Sequence, residues 1–328
     1  MTSQPSQPAQ PSQPLQHKLS MGGTPFGFHF WRDFSECSRR AWLGLEARAQ
    51  REPVTLLGDD PLSLGTVVHG MLREYHHGVL SQENLHTLEF LAEDDLPLEV
   101  DPACMTNGAR LIAAHMREFP RDVFGDVLAT EWDFGPCDAT TFDAGVASTA
   151  SELASVSGLP AFTGSIDAVV DCPGVDLMMY NGRATRPTKK NPDPPERERI
   201  PVSLPQGVLL IDWKTSGGVG ANQDAYFTSS LQLAGYQLAW NALNPDRPCV
   251  GAIAVVLVKY KDPVFRIYQQ DAITEDVRLF NAWQAFTQRC QLLLQSDALR
   301  DQVNPAACFP NPNGFGCRQR APMGACLV

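Results

Sequence analysis

The hydrophobic period changes partway along this chain, and that change limits the fold more than any other feature. Up to residue 119, apolar residues recur at helical spacing and predict helices over 34–48, 65–75 and 106–119, the last stopped by Pro120. In the second helix Val68, Met71, Leu72 and Tyr75 form one stripe, with His69 beside it. From residue 127 the pattern shortens to apolar or alternating runs over 127–134, 162–171, 208–213, 252–260 and 264–269, each bounded by Gly, Pro or charge. Helices over 222–241 and 275–295 follow the third and fifth runs. Lys261-Asp262-Pro263 suits a hairpin turn between the last two strands. This order predicts an α/β fold, a mixed β-sheet flanked by helices.

At 328 residues, with 43% hydrophobic and 19% charged residues, the chain can bury a substantial core without staples. It has no apolar run of about 18 residues and no charged-then-apolar leader. Both observations argue against membrane-spanning and secreted classes and lead to the expectation of a cytoplasmic protein. Nine cysteines, an odd number, argue against a disulfide framework. Residues 1–22 are rich in Gln, Ser and Pro and read as a disordered tail. The remainder, 23–328, reads as one domain: a helical part over 23–125, a sheet core over 126–300 and a Cys-rich closing segment over 301–328.

The net charge is −11, which taken alone argues weakly against a nucleic-acid partner. Seven of those charges lie in 81–101, which carries no Lys or Arg and reads as a solvated helix face plus loop. Residues 181–206 form a Pro-rich charged insertion, read as a mobile loop; it is either a solvated hairpin tip or an arm that contacts DNA.

Two carboxylates stand out. The third apolar run ends Leu209-Leu210-Ile211-Asp212-Trp213-Lys214 before Gly217-Gly218. On a strand, Asp212 and Lys214 share a face. Asp167 sits in the middle of the preceding apolar run, Phe162–Val170. A buried carboxylate without a partner costs several kcal/mol or shifts its pKa, so it calls for a cation, donors or a metal. Two carboxylates side by side suit a hard divalent cation, Mg²⁺ or Mn²⁺. Further on, Gln232 and Tyr236 stand one helical turn apart. They either donate to phosphate oxygens or belong to an ordinary amphipathic helix.

These pieces resemble the PD-(D/E)XK nucleases, specifically the RecB-like branch, whose motifs run Gly-x-x-x-His, Gly-x-x-Asp, Asp-x-Lys and Gln-x-x-x-Tyr. This chain supplies Gly65 to His69, Gly164 to Asp167, Asp212 to Lys214 and Gln232 to Tyr236, in that order. The resemblance spans about residues 34–326. It implies a restriction-endonuclease-like fold. It departs from the family in the 45 residues separating Asp167 from Asp212, which the charged insertion accounts for.

Three cysteines, Cys308, Cys317 and Cys326, lie nine apart in a Pro/Gly-rich segment with little apolar content. Such cysteines are better explained as ligands than as core residues, and Cys37 is a candidate fourth. Cys104, Cys137, Cys172, Cys249 and Cys290 read as ordinary reduced residues. The ligand arrangement resembles iron–sulfur members of the same branch, the helicase–nuclease and CRISPR-adaptation types. It implies a [4Fe–4S] cluster that ties the chain ends together, or a structural Zn²⁺ in its place.

The resemblance implies hydrolysis of DNA phosphodiesters, with His69, Asp167 and Asp212 as metal ligands and Asp167, Asp212 and Lys214 as the catalytic set. Gln232 and Tyr236 would position the substrate. Arg39 and Arg40 would contact phosphates, or else stay solvated or shield the cluster. Glu131, on the first strand, would support the site. A His beside the metal favours an exonuclease acting on single-stranded ends, with helicase or CRISPR-adaptation proteins as partners and no membrane. Two other readings stay open: a catalytically quiet DNA- or partner-binding subunit that retains the fold, and a zinc-stabilised enzyme unrelated to nucleic acid.

Overall fold

In the computed structural model, the described residues are 15–19, 26–36, 41, 54–56, 61–85, 88–92, 98–135, 155–159, 162–180, 199–220 and 222–295. In chain order the elements are β1 (Leu15–Leu19), α1 (Phe28–Glu36), β2 (Val54–Leu56), α2 (Pro61–His76), β3 (Leu88–Ala92), β4 (Leu98–Val100) and α3 (Pro102–Glu118). Next come β5 (Asp126–Phe134), β6 (Gly164–Tyr180), β7 (Arg199–Ser216), α4 (Gln223–Thr228), α5 (Leu231–Leu243), β8 (Cys249–Val258), β9 (Val264–Asp271) and α6 (Val277–Gln295).

The main sheet has five strands in the order β5-β6-β7-β8-β9. The pair β7 and β8 is parallel and its neighbours are antiparallel. A parallel pair needs a crossover, and the two helices α4 and α5 provide it. This is the mixed sheet flanked by helices that the sequence predicts.

The sheet is buried on both faces. Alternate residues of β7 go to opposite layers: Leu209, Ile211 and Trp213 pack with Val68, Met71 and Leu72 of α2 and Leu111 and Ile112 of α3. Leu210 packs on the other side with Leu233, Ala239 and Trp283 of α5 and α6 and with Trp31 and Phe34 of α1. The expected stripe on α2 is therefore the stripe that faces the sheet. β8, with period-free Ala/Val/Ile/Leu content, is buried along nearly its whole length, as a central strand covered on both faces must be.

Several boundaries differ from expectation. Within the N-terminal tail, Leu15–Leu19 forms a parallel pair with Leu88–Ala92, so that part of the tail is strand. β3 and β4 also replace the helix face and loop read over 81–101, and β4 pairs with β2. The strand-like Leu-Glu-Phe-Leu-Ala alternation of β3 was masked by the density of acidic residues around it. The expected helix over 222–241 breaks in two, because Ser230 caps α5: its side chain accepts from the Leu233 N–H. The first helix begins six residues early, at Phe28, and its described part ends at Glu36.

The largest correction concerns the insertion. β6 and β7 run on as a two-stranded ribbon from Cys172↔Gly207 to Tyr180↔Arg199, so residues 199–206 are strand and not loop. Prolines 173, 201 and 205 suggested a loop. A two-stranded ribbon leaves one edge of each strand outside the ladder, where proline's missing N–H costs nothing. Residues 181–198, with most of the basic side chains, lie outside the described residues.

No helix among the described residues is long and apolar enough to cross a membrane. Cys104, Cys172, Cys249 and Cys290 are free and buried, as their apolar settings predict.

Candidate active site

Asp167 and Asp212 face each other across two strands. The ladder of β6 and β7 ends on the pair Ala168↔Ile211, and the next step of that register sets Asp167 opposite Asp212. The ladder stops there because a side chain replaces it: Asp167 Oδ2 accepts the backbone N–H of Trp213 at 2.6 Å. The Trp213 indole points to the opposite layer and stacks on His76, with ring centroids 4.9 Å apart. Trp213 thereby fixes the strand whose two neighbours carry the chemistry.

Each carboxylate meets a cationic or ionisable partner. His69 Nδ1 lies 3.3 Å from Asp167 Oδ1. Lys214 Nζ lies 2.6 Å from Asp212 Oδ1, confirming that the two residues share a face of β7. His69 reaches the strands from α2, whose Gly65 passes close to Thr215: a Cβ there would stand 3.6 Å from Thr215 Oγ1. Four of the sequence-predicted residues are thus brought together.

Each group's ionisation is set by its neighbours as well as by its burial. Burial opposes the charged form of His69, but the charge and hydrogen bond of Asp167 outweigh it and raise the imidazole pKa. Burial works against ionised Asp167 too, yet His69, Lys214 and the Trp213 amide hold it below the usual carboxylate range. Asp212 is pushed up, by burial first and by the like charge of Asp167, although Lys214 opposes this. Lys214 is raised, because the two carboxylates together outweigh its burial. It therefore stays an ammonium at physiological pH and serves as a fixed charge and donor, not as a base.

Gln232 and Tyr236, on α5, are joined at 2.7 Å, with the Gln232 amide donating to the phenol oxygen. That leaves the phenol's own proton available to donate elsewhere. Burial and the nearby Asp212 charge raise the Tyr236 pKa, so the phenol stays neutral. The ring sits over the glycine of another motif. A Cβ on Gly164 would come within 3.2 Å of Tyr236 Cε1 and 2.5 Å of Phe134 Cζ. Glycine at 164 is therefore the residue that admits both rings.

Two supporting residues extend the site. Glu131 lies on β5 between the pairs Thr130↔Ala168 and Trp132↔Ile166, which sets it across from Asp167. Its φ of 43° is left-handed, an uncommon and costly conformation for a residue with a side chain. It forms an ion pair with Arg73, which stands one turn after His69 on α2. Sequence reading missed Arg73, although its i+4 spacing from His69 was the available signal.

The residues also test the expected metal. Two carboxylates and an imidazole are suitable donors for a divalent cation. Their arrangement is one of two adjacent ion pairs, His69 with Asp167 and Lys214 with Asp212. Among the described residues, no three His, Cys, Asp or Glu side chains are arranged to hold a metal ion. His69, Asp167 and Asp212 are thus neighbours with suitable donor atoms, held in ion pairs rather than converging on one point. Cys37, Cys308, Cys317, Cys326, Arg39 and Arg40 lie outside the described residues.

No protein-family model matches the chain. No curated protein matches it either. Among solved structures it is similar to a proposed exonuclease from Eubacterium rectale, determined crystallographically at 2.19 Å. The two chains are 12% identical with a TM-score of 0.41, over 85% of this chain and 88% of the other.

Proposed function

We propose that this chain is a metal-dependent deoxyribonuclease that hydrolyses DNA phosphodiesters, acting on single-stranded ends. The observation that supports it most is the position of Asp167 opposite Asp212 on adjacent strands, with Lys214 on one carboxylate and His69 on the other. Packing four ionisable groups together, with Asp212 buried and the other three partly buried, is costly for a purely structural core. It is the usual signature of a reacting centre.

In this reading His69, Asp167 and Asp212 would hold one or two Mg²⁺ or Mn²⁺ ions, which would supply Lewis-acid chemistry at the phosphate. The chain's own residues do the rest. Lys214, fixed as an ammonium, donates to a water or to a phosphate oxygen and offsets charge that develops there. Tyr236, held by Gln232, offers its phenol proton to the substrate strand. Glu131 and Arg73 brace the β5 side.

A second metal centre belongs to the same proposal: a [4Fe–4S] cluster, or a Zn²⁺, on Cys37, Cys308, Cys317 and Cys326. Two described helices flank these cysteines in sequence. The end of α1 is held against α6, with Arg289 Nε donating to Ser35 O at 2.7 Å. The first cysteine follows α1, and the other three follow α6.

The test is release of nucleotides from 5′- and 3′-labelled single-stranded and duplex DNA in Mn²⁺ and in EDTA. Metal-dependent release that Lys214→Ala abolishes supports the reading. Purified, folded wild-type protein that leaves every substrate intact refutes it.

A further inference from the structure

The catalytic strand leaves the sheet beside a small group of cations that no motif contains. Beyond Lys214, β7 continues to Ser216, whose carbonyl accepts the backbone N–H of Lys259 at 2.8 Å. Lys259 opens the turn between β8 and β9, and exposed Lys261 follows it in the same turn. Arg110, from α3, reaches over and donates to the carbonyls of Tyr260, at 2.6 Å, and Lys261, at 2.8 Å. The Tyr260 hydroxyl accepts the Val219 N–H at 3.3 Å, which ties the turn to the segment leaving β7. Arg110 and the turn that carries Lys259 and Lys261, from two distant parts of the chain, are therefore held together at the exit of the catalytic strand. Asp262 is the one acidic residue in that turn. Neither Lys259 nor Lys261 is in an ion pair among the described residues.

An exposed aromatic ring lies on the same segment. Gln223, the first residue of α4, donates to Ser216 Oγ at 3.3 Å and to Gly218 O at 3.0 Å. One turn on, Tyr226 is 64% exposed. Its neighbour Phe227 is buried and stacks on Tyr268, at 4.9 Å between centroids, so the helix that carries Tyr226 is anchored. From Lys214 to Ser216 is two strand residues, about 7 Å.

We infer that this rim, the Lys259–Lys261 turn held by Arg110 together with exposed Tyr226 on the helix that follows β7, is a binding site for single-stranded nucleic acid, cations taking phosphates and the ring stacking a base. A cationic track with an exposed aromatic is the combination by which proteins hold single strands without reading sequence. In a chain of net charge −11, a local group of cations next to the site concentrates the attraction where the substrate strand must pass. The inference rests on the nuclease reading for its choice of ligand.

The experiment is fluorescence anisotropy of a labelled 20-nucleotide oligothymidine on the full chain, in EDTA, over a salt series. Lys259→Ala/Lys261→Ala removes two phosphate contacts. Its slope of log affinity against log salt should be shallower than wild type by about 1.4, and its affinity at low salt should fall about tenfold. Lys259→Arg/Lys261→Arg should retain both. Tyr226→Ala should weaken binding at every salt concentration without changing the slope, and Tyr226→Trp should restore it. Arg278→Ala, an exposed cation on α6, should bind as wild type does. Wild-type slope and affinity in the double alanine variant, or no binding by wild type, overturns the inference. Binding that behaves as stated without cleavage in Mn²⁺ overturns the nuclease reading alone.

Discussion

The backbone N–H of Trp213 donates to the Asp167 carboxylate at 2.6 Å, in the place where the next rung of the β6–β7 ladder would fall. A carboxylate that accepts a backbone amide is both lowered in pKa and fixed in direction. Asp167→Asn keeps the shape and removes the charge. His69 should then titrate lower than in wild type, because its pKa is raised by Asp167 against the effect of burial. NMR titration of the His69 imidazole checks this; an unshifted midpoint would show that Asp167 does not control it. The sign for stability follows. A raised histidine pKa stabilises the fold below the unfolded-state value and loses that contribution as pH rises through the folded value.

Lys214 separates activity from stability. Lys214→Met should lower nucleotide release by at least about 10³-fold. It should also cost ~3 kcal/mol, because it leaves Asp212 buried without its partner. The double variant Asp212→Asn/Lys214→Met should regain most of the stability and none of the activity. Urea denaturation and a Mn²⁺-dependent release assay read the two quantities.

Acid should weaken the fold through His76. Its imidazole is buried behind Trp213, and burial, aided by Arg121 and His77, lowers its pKa to about 4. His115, in ring contact with it, is lowered as well, mainly by burial. Neither ring has a hydrogen-bond partner among the described residues. A histidine lowered in the folded state binds its proton only on unfolding, so stability falls as pH drops from about 6.5 toward 4. The loss attributable to His76 is about 3 kcal/mol. His76→Phe should flatten this part of the stability–pH profile measured by denaturant titration; an unchanged profile would contradict it.

Gly164→Ala should act through rings and not through the backbone. The added Cβ would meet Phe134 and Tyr236 too closely. A loss of about 1–3 kcal/mol is expected. A fall in activity should accompany it as Tyr236 is displaced from Gln232. By contrast, Gly65→Ala meets only ordinary contact with Thr215 and should be mild. Comparing the two variants by thermal melting and release assay gives the result.

The proposed cluster on the four cysteines carries a spectroscopic prediction. Protein purified without oxygen should be brown, with broad absorbance near ~400 nm. Cys317→Ser should bleach it. A colourless protein that carries one tightly bound zinc decides for the alternative.

Most of the fold and six of the candidate site residues, His69, Asp167, Asp212, Lys214, Gln232 and Tyr236, were legible because they are written in local pattern. Alternation around Asp167, the apolar run before Asp212 and the stripe beside His69 each report a strand or helix face directly. What was not legible depends on pairing. That Glu131 stands across from Asp167 is a matter of register, which local sequence does not state. Arg73 becomes relevant only once α2 meets β5. The ribbon of β6 and β7 was hidden because its prolines look like turn signals until the free edges of the two strands are known. The cations at 110, 259 and 261 are unremarkable in sequence, and only the fold collects them.

The ribbon has a consequence for how this protein can change. Asp167 and Tyr180 are 13 residues apart along β6, a contour of roughly 40 Å. Residues Val175, Leu177 and Val202 seat the ribbon on the same core as α3. The connection between its two strands therefore begins and ends far along the chain from the carboxylates, at a fixed anchor. Length and charge can be added or removed there while the spacing of Asp167 to Asp212 is held by the ladder. The span over 181–198 is a port: a place to graft a tag, a tether or a second domain without disturbing the ladder that holds the carboxylates.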